Sequence, residues 1–107
     1  MDLGAFEAID WDGEEDEQGN LAHCLCHGLT ERVVAEVLAE DPVEIRLRLE
    51  HAEMAVVGPD RSQGQLWTLL LATSLERGDW LRPVTGWRSK SGEIAAGEQA
   101  TGRTWHR

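Results

Sequence analysis

The sequence predicts an α+β fold: a small antiparallel sheet of four to five strands, with two helices before it and one after. Three observations carry this reading. Val33, Val34, Val37 and Leu38 recur at helical spacing, with Glu31, Arg32, Glu36 and Glu40 on the other side. Beyond Pro42 the pattern switches to a period of two, with Val43, Ile45, Leu47 and Leu49 inward and Glu44, Arg46 and Arg48 outward. From Met54 on, apolar runs alternate with turn material at 58–64 and 76–79. Helices and strands are thus segregated along the chain, which predicts helices packed on one face of the sheet.

In chain order, residues 6–11 read as a first strand with apolar residues on both faces. Asp12 would cap a helix over 14–27, whose first turn holds Glu14, Glu15, Asp16 and Glu17 where the helix dipole favours them. Gly28 fits the left-handed close of that helix, and Thr30 fits the cap of the next. Asp41-Pro42 stops the second helix, because the residue before proline resists helical geometry. Strands follow at 43–49, 54–57, 65–73 and 80–87. The third is apolar enough to be central, and Pro83 marks the fourth as an edge strand or the site of a bulge. Ser91 would cap a last helix over 92–100, and 101–107 reads as a loose tail. At 107 residues the chain reads as one domain.

The formal charge of −10 is unevenly spread. Residues 1–60 hold sixteen acidic and three basic residues, a balance of −13, whereas 61–107 hold four and seven, a balance of +3. An acidic surface repels nucleic acid, while the basic C-terminal part retains the capacity to meet a phosphate. With no secretory signal pattern and no apolar run near twenty residues, the expectation is a cytoplasmic protein with reduced thiols and no membrane partner.

Residues 20–30 hold the densest chemistry. His23 and His27 lie four apart, one turn above the other on a helix, beside Cys24 and Cys26. Two histidines at this spacing are half of a zinc site, but His51 and His106 stand alone and no cysteine follows, so no metal or cofactor is expected. The cysteines are too close in sequence for a good internal bridge. The acidic run reads first as a solvated helix start and second as a mimic of nucleic acid or a dock for a basic partner. Trp11, Trp67 and Trp87 read as core or sheet-face residues, whereas Trp80 and Trp105 read as exposed contacts, Trp105 toward a partner or a second copy in a homodimer.

Trp11-Asp12, Asn20, His27-Gly28-Leu29-Thr30, the helix stop at Asp41-Pro42, the glycine-bounded turn at 58–64 and the run from Arg82 through Lys90 to Glu93 resemble BrnT-type toxins. These are small RelE-like ribonucleases of type II toxin–antitoxin modules, neutralised by a ribbon-helix-helix antitoxin. The resemblance spans about residues 6–98 and rests on the order and spacing of short motifs. Arg82, Val84, Thr85, Arg88 and Glu93 match family positions, with Arg88 at a lysine. The chain departs where Cys26 replaces a lysine, Trp87 replaces an arginine, and three extra residues separate Asn20 from His27.

The resemblance implies metal-independent RNA cleavage. His27 would move the 2′-hydroxyl proton, and Arg82, Arg88 and Lys90 would hold the phosphate, with Glu93 completing the site. The missing basic residues imply a second reading, a catalytically degenerate member that binds or regulates without nuclease activity.

Overall fold

The computed structural model describes residues 3–105. The chain forms an α+β fold with a five-stranded mixed sheet and three helices: β1 (Ala8–Ile9), α1 (Asn20–Cys26), α2 (Glu31–Ala39), β2 (Val43–Ile45), β3 (Met54–Pro59), β4 (Leu66–Thr73), β5 (Trp80–Arg88) and α3 (Ser91–Thr101). A short 3-10 turn at Leu3–Ala5 precedes them. The strand order is β1-β5-β4-β3-β2. The consecutive strands β2 to β5 pair antiparallel, as short hairpin connections require. The antiparallel expectation fails at one edge, where β1 pairs parallel to β5, with Ala8 opposite Trp80 and Ile9 opposite Leu81. The whole chain between these strands serves as the crossover that a parallel pair needs.

The expectation of helices on one sheet face also fails. Trp67, Leu69 and Leu71 of β4 point into a core with Cys24, Leu29, Val33, Val34 and Val37, so α1 and α2 cover that face. Leu66 and Leu70, of opposite parity, meet Val43, Ile45, Val57, Ile94 and Trp105, so α3 covers the other. Every residue of β4 from Leu66 to Leu71 is buried, which is why its sequence reads as a continuous apolar run.

α2 follows its sequence signals closely. Thr30 Oγ1 accepts the Val33 N–H at 3.2 Å, and Gly28 at φ +76° makes the turn from α1. The acidic stretch departs from expectation: 13–19 form turns, and α1 begins only at Asn20. Glu14 to Glu17 carry no apolar stripe to bury, and all four are exposed, so no packing holds a helix there. Asp12 is not the N-cap, a position Gly19 holds, yet its carboxylate accepts the N–H of Asn20, the first residue of α1, at 2.9 Å.

Three further boundaries move. Pairing of β2 ends at Ile45 instead of Leu49, and β1 keeps only two residues of 6–11. Lys90, not Ser91, caps α3, with its N–H donated to the Glu93 carboxylate at 2.9 Å. The tail is anchored through Trp105, which is 9% exposed, packs over Gly97 and donates its backbone N–H to Glu98 at 3.0 Å. Trp105 therefore belongs to the core and is not an exposed contact. Trp80 is half-buried, with the Arg77 guanidinium 4.2 Å from its ring centroid. Among the described residues, no helix is long and apolar enough to cross a membrane.

Gly86 sits where Leu29, in the connection between α1 and α2, leaves no room. A Cβ there would lie 2.5 Å from Leu29 Cδ2 and 2.9 Å from both Leu69 Cδ2 and the Thr68 carbonyl oxygen. Gly86→Ala is expected to lower stability by about 1–3 kcal/mol, the usual effect of overpacking a filled core. Urea unfolding checks this, and an unchanged midpoint would contradict the packing described.

Candidate functional site

Three segments distant in sequence meet at the β1 edge of the sheet. Pro83 has no N–H to give to the ladder, and Val84 is an extra residue: Leu71 pairs with Pro83 while Leu70 pairs with Thr85. The bulge expected at Pro83 is therefore present, although β5 is an interior strand between β1 and β4. The Pro83 carbonyl is taken up by Asn20, whose Nδ2 donates to it at 2.7 Å and to the Asp10 carbonyl at 2.9 Å. Asn20 Oδ1 accepts the Asp12 N–H at 2.8 Å. At 3% exposure, Asn20 is a buried amide whose oxygen and nitrogen are both used.

Arg82 stands beside this knot. Its Nη1 and Nη2 donate to the two oxygens of Asp12 at 3.0 and 2.6 Å, a two-pronged pair, and Asp10 Oδ2 lies 3.6 Å away. Ser74 Oγ donates to Asp10 Oδ2 at 2.7 Å. The Arg82 hydrogen bonds, then the Asn20 N–H, hold the Asp12 carboxyl below its ordinary range, and Asp12 raises the Arg82 guanidinium in turn.

Arg82 also lines an open groove of about 770 Å³ on the α3 side of the sheet, beyond the stretch of β4 and β5 that Glu93 of α3 reaches through Thr68 and Trp87. Ala52, Ala72 and Val84 contribute apolar surface to it, with His23, His51 and Glu53 also in its lining.

The five residues expected to form a nuclease site are not gathered around one groove. Arg88 lies six residues along β5 from Arg82, roughly 20 Å at an extended rise. The bulge between them also puts the two on opposite faces: Arg82 is paired with Ala72, whereas Arg88 is paired with Trp67 and holds its guanidinium 5.9 Å from that ring's centroid. His27 is the exposed C-cap of α1, and Lys90 has its ammonium 6.0 Å from the Trp87 ring centroid. Glu93, 9% exposed, accepts from Thr68 Oγ1 at 2.9 Å and Trp87 Nε1 at 3.0 Å besides the Lys90 N–H, which fastens α3 to the sheet. None of His27, Arg88, Lys90 or Glu93 lines the groove that holds Arg82.

Of the histidine pair, His23 lines the groove and His27 does not. Among the described residues, no group of three or more His, Cys, Asp and Glu side chains is placed to hold a metal ion. His51 and Glu53 join the groove although nothing in their local sequence marks them. The pairing of Arg82 with Asp12 was foreshadowed only by the shared presence of both in the family-like motifs. No family model, curated protein or solved structure matches the chain.

Two tests follow from this geometry. Asp12→Asn removes a charged acceptor from a partly buried pair and is expected to cost about 1.5–3 kcal/mol at neutral pH. Because folding depresses the Asp12 pKa, its contribution is present above the ordinary value of 3.8 and is lost as pH falls through the folded value. The stability gap between wild type and Asp12→Asn should therefore close in acid, and a gap independent of pH would refute the role given to this charge. The second concerns the thiols. Burial pushes Cys24 up to about 11, whereas Cys26 is exposed. Iodoacetamide should label Cys26 alone in the folded protein and both cysteines after unfolding, as read by peptide mass.

Proposed function

We propose that this chain is a BrnT-like protein that acts as a binding module and does not cleave RNA. The observation that carries the reading is the two-pronged grip of Asp12 on Arg82, at 3.0 and 2.6 Å. A scissile phosphate would have to compete with a carboxylate already bound to the cation best matched to the family motif, and with Asp10 beside it. Catalysis by charge stabilisation depends on donors held ready for the transition state, and Arg82 is held ready for Asp12. His27, Arg88 and Lys90 are absent from the groove that Arg82 lines, so the residues the family motif would pair with Arg82 are not beside it.

The charge distribution supports the same reading. The N-terminal sixty residues carry a balance of −13, and they supply Asp10, Asp12 and Glu53 around the groove. A polyanion approaching there meets repulsion. The protein partner of a toxin-like ancestor, a ribbon-helix-helix antitoxin, is retained in this reading as the kind of regulator such a module would engage. The reading has the protein in the cytoplasm, where the exposed Cys26 thiol stays reduced.

The purified chain incubated with total RNA is expected to give no cleavage above buffer, with His27→Ala and Arg82→Ala indistinguishable from wild type. Induced expression in bacteria is expected to leave growth unchanged. Cleavage that disappears in either variant would restore the ribonuclease reading and overturn this one.

A further inference from the structure

We propose that the open sheet-face groove docks a peptide segment of a partner protein in which Lys or Arg residues adjoin aliphatic ones. The inference rests on the binding-module reading above and names the partner's chemistry. The groove continues into a smaller cavity of about 260 Å³, and the two share Leu75 and Arg82. The larger part presents the alanine and valine surface of Ala52, Ala72 and Val84, while the smaller is lined by Asp10, Asp12 and Glu76. Counting Glu53, the two cavities are lined by four carboxylates and one guanidinium, so the surface calls for positive charge from outside.

Leu75 stands at the seam between the acidic and apolar parts and is fully exposed, at 101% of its reference surface. An aliphatic side chain held in water at the junction of two cavities has apolar surface to bury against an incoming residue. An aliphatic residue against Leu75 and Val84 would direct a neighbouring cation toward Glu76 and Asp10. A nucleic acid is disfavoured by the same carboxylates. A second copy is a poor source of the segment, because this chain's own alternating basic and aliphatic stretch has Leu47 and Leu49 packed against its core.

The test uses the full chain labelled with ¹⁵N and three capped hexapeptides: alternating Lys and Leu, alternating Glu and Leu, and alternating Lys and Ser. The Lys-Leu peptide is expected to give saturable amide shifts confined to the neighbourhood of Ala72, Leu75, Arg82 and Thr85. The other two are expected to bind at least about tenfold more weakly. Glu76→Lys and Leu75→Ser alter exposed side chains, so they should keep the wild-type spectrum elsewhere and each weaken the Lys-Leu peptide about tenfold. The proposal is overturned by absent or non-saturating shifts, by equal binding of the Glu-Leu peptide, or by unchanged affinity in both variants. A peptide-free dimer that buries Leu75, seen by sedimentation, would also overturn it in favour of self-association. Absent peptide binding together with absent RNA cleavage would remove this inference alone, whereas RNA cleavage would remove the reading beneath it.

Discussion

The Asp12–Arg82 pair, with Asn20 behind it, is the constraint on which the rest of this edge of the fold depends. β1 has only two residues and two register pairs, too little to hold a strand at a sheet edge unaided. Asn20 ties the backbone that follows it to β5: one side chain bonds the Asp10 carbonyl, the Asp12 N–H and the Pro83 carbonyl. Asp12 then closes the circuit by accepting both from the first N–H of α1 and from Arg82. Arg82 and Asp12 are 31% and 27% exposed, so their attraction is less screened than that of a surface pair, and each would be left desolvated without the other. One residue thus serves the fold so fully that its availability for chemistry falls.

The same circuit explains why α1 is short. Its seven residues bury only Asn20, Leu21 and Cys24, and a helix of that length is not stable on propensity alone. The helix starts where Asp12 and Asn20 fix its first turn, not where the acidic run begins. The charges at 14–17 are left in solvent.

How much of this was legible in the sequence depended on how far apart the causes lay. α2 could be read because its cap, apolar stripe and stop occupy a dozen neighbouring residues, and β4 because burial on both faces writes itself as a continuous apolar run. The bulge could be read from Pro83, since proline removes a donor wherever it sits. The parallel pairing of β1 could not, because two residues carry no periodicity and their partners lie about seventy positions on. Trp105 reads as a tail residue until Gly97, whose lack of a side chain makes the space its ring fills, is brought beneath it. Leu47 and Leu49 continued the alternation of β2 correctly as inward-facing residues, yet backbone pairing stops at Ile45, so pattern specified burial but not hydrogen bonding.

The candidate site shows the same division more sharply. Arg82, Arg88, Lys90 and Glu93 lie close together in sequence, which invites a single site, but a strand separates its residues by distance and a bulge separates them by face. Arg82 goes to the groove side, Arg88 to the ring of Trp67, and Glu93 beneath Trp87. Trp87 is informative here. Its indole N–H goes to Glu93, which makes this residue a brace between α3 and the sheet. With the Asp12 grip in place Arg82 is neutralised, Arg88 faces away from it, and the charge of the groove beside Arg82 runs opposite to the one a phosphate needs.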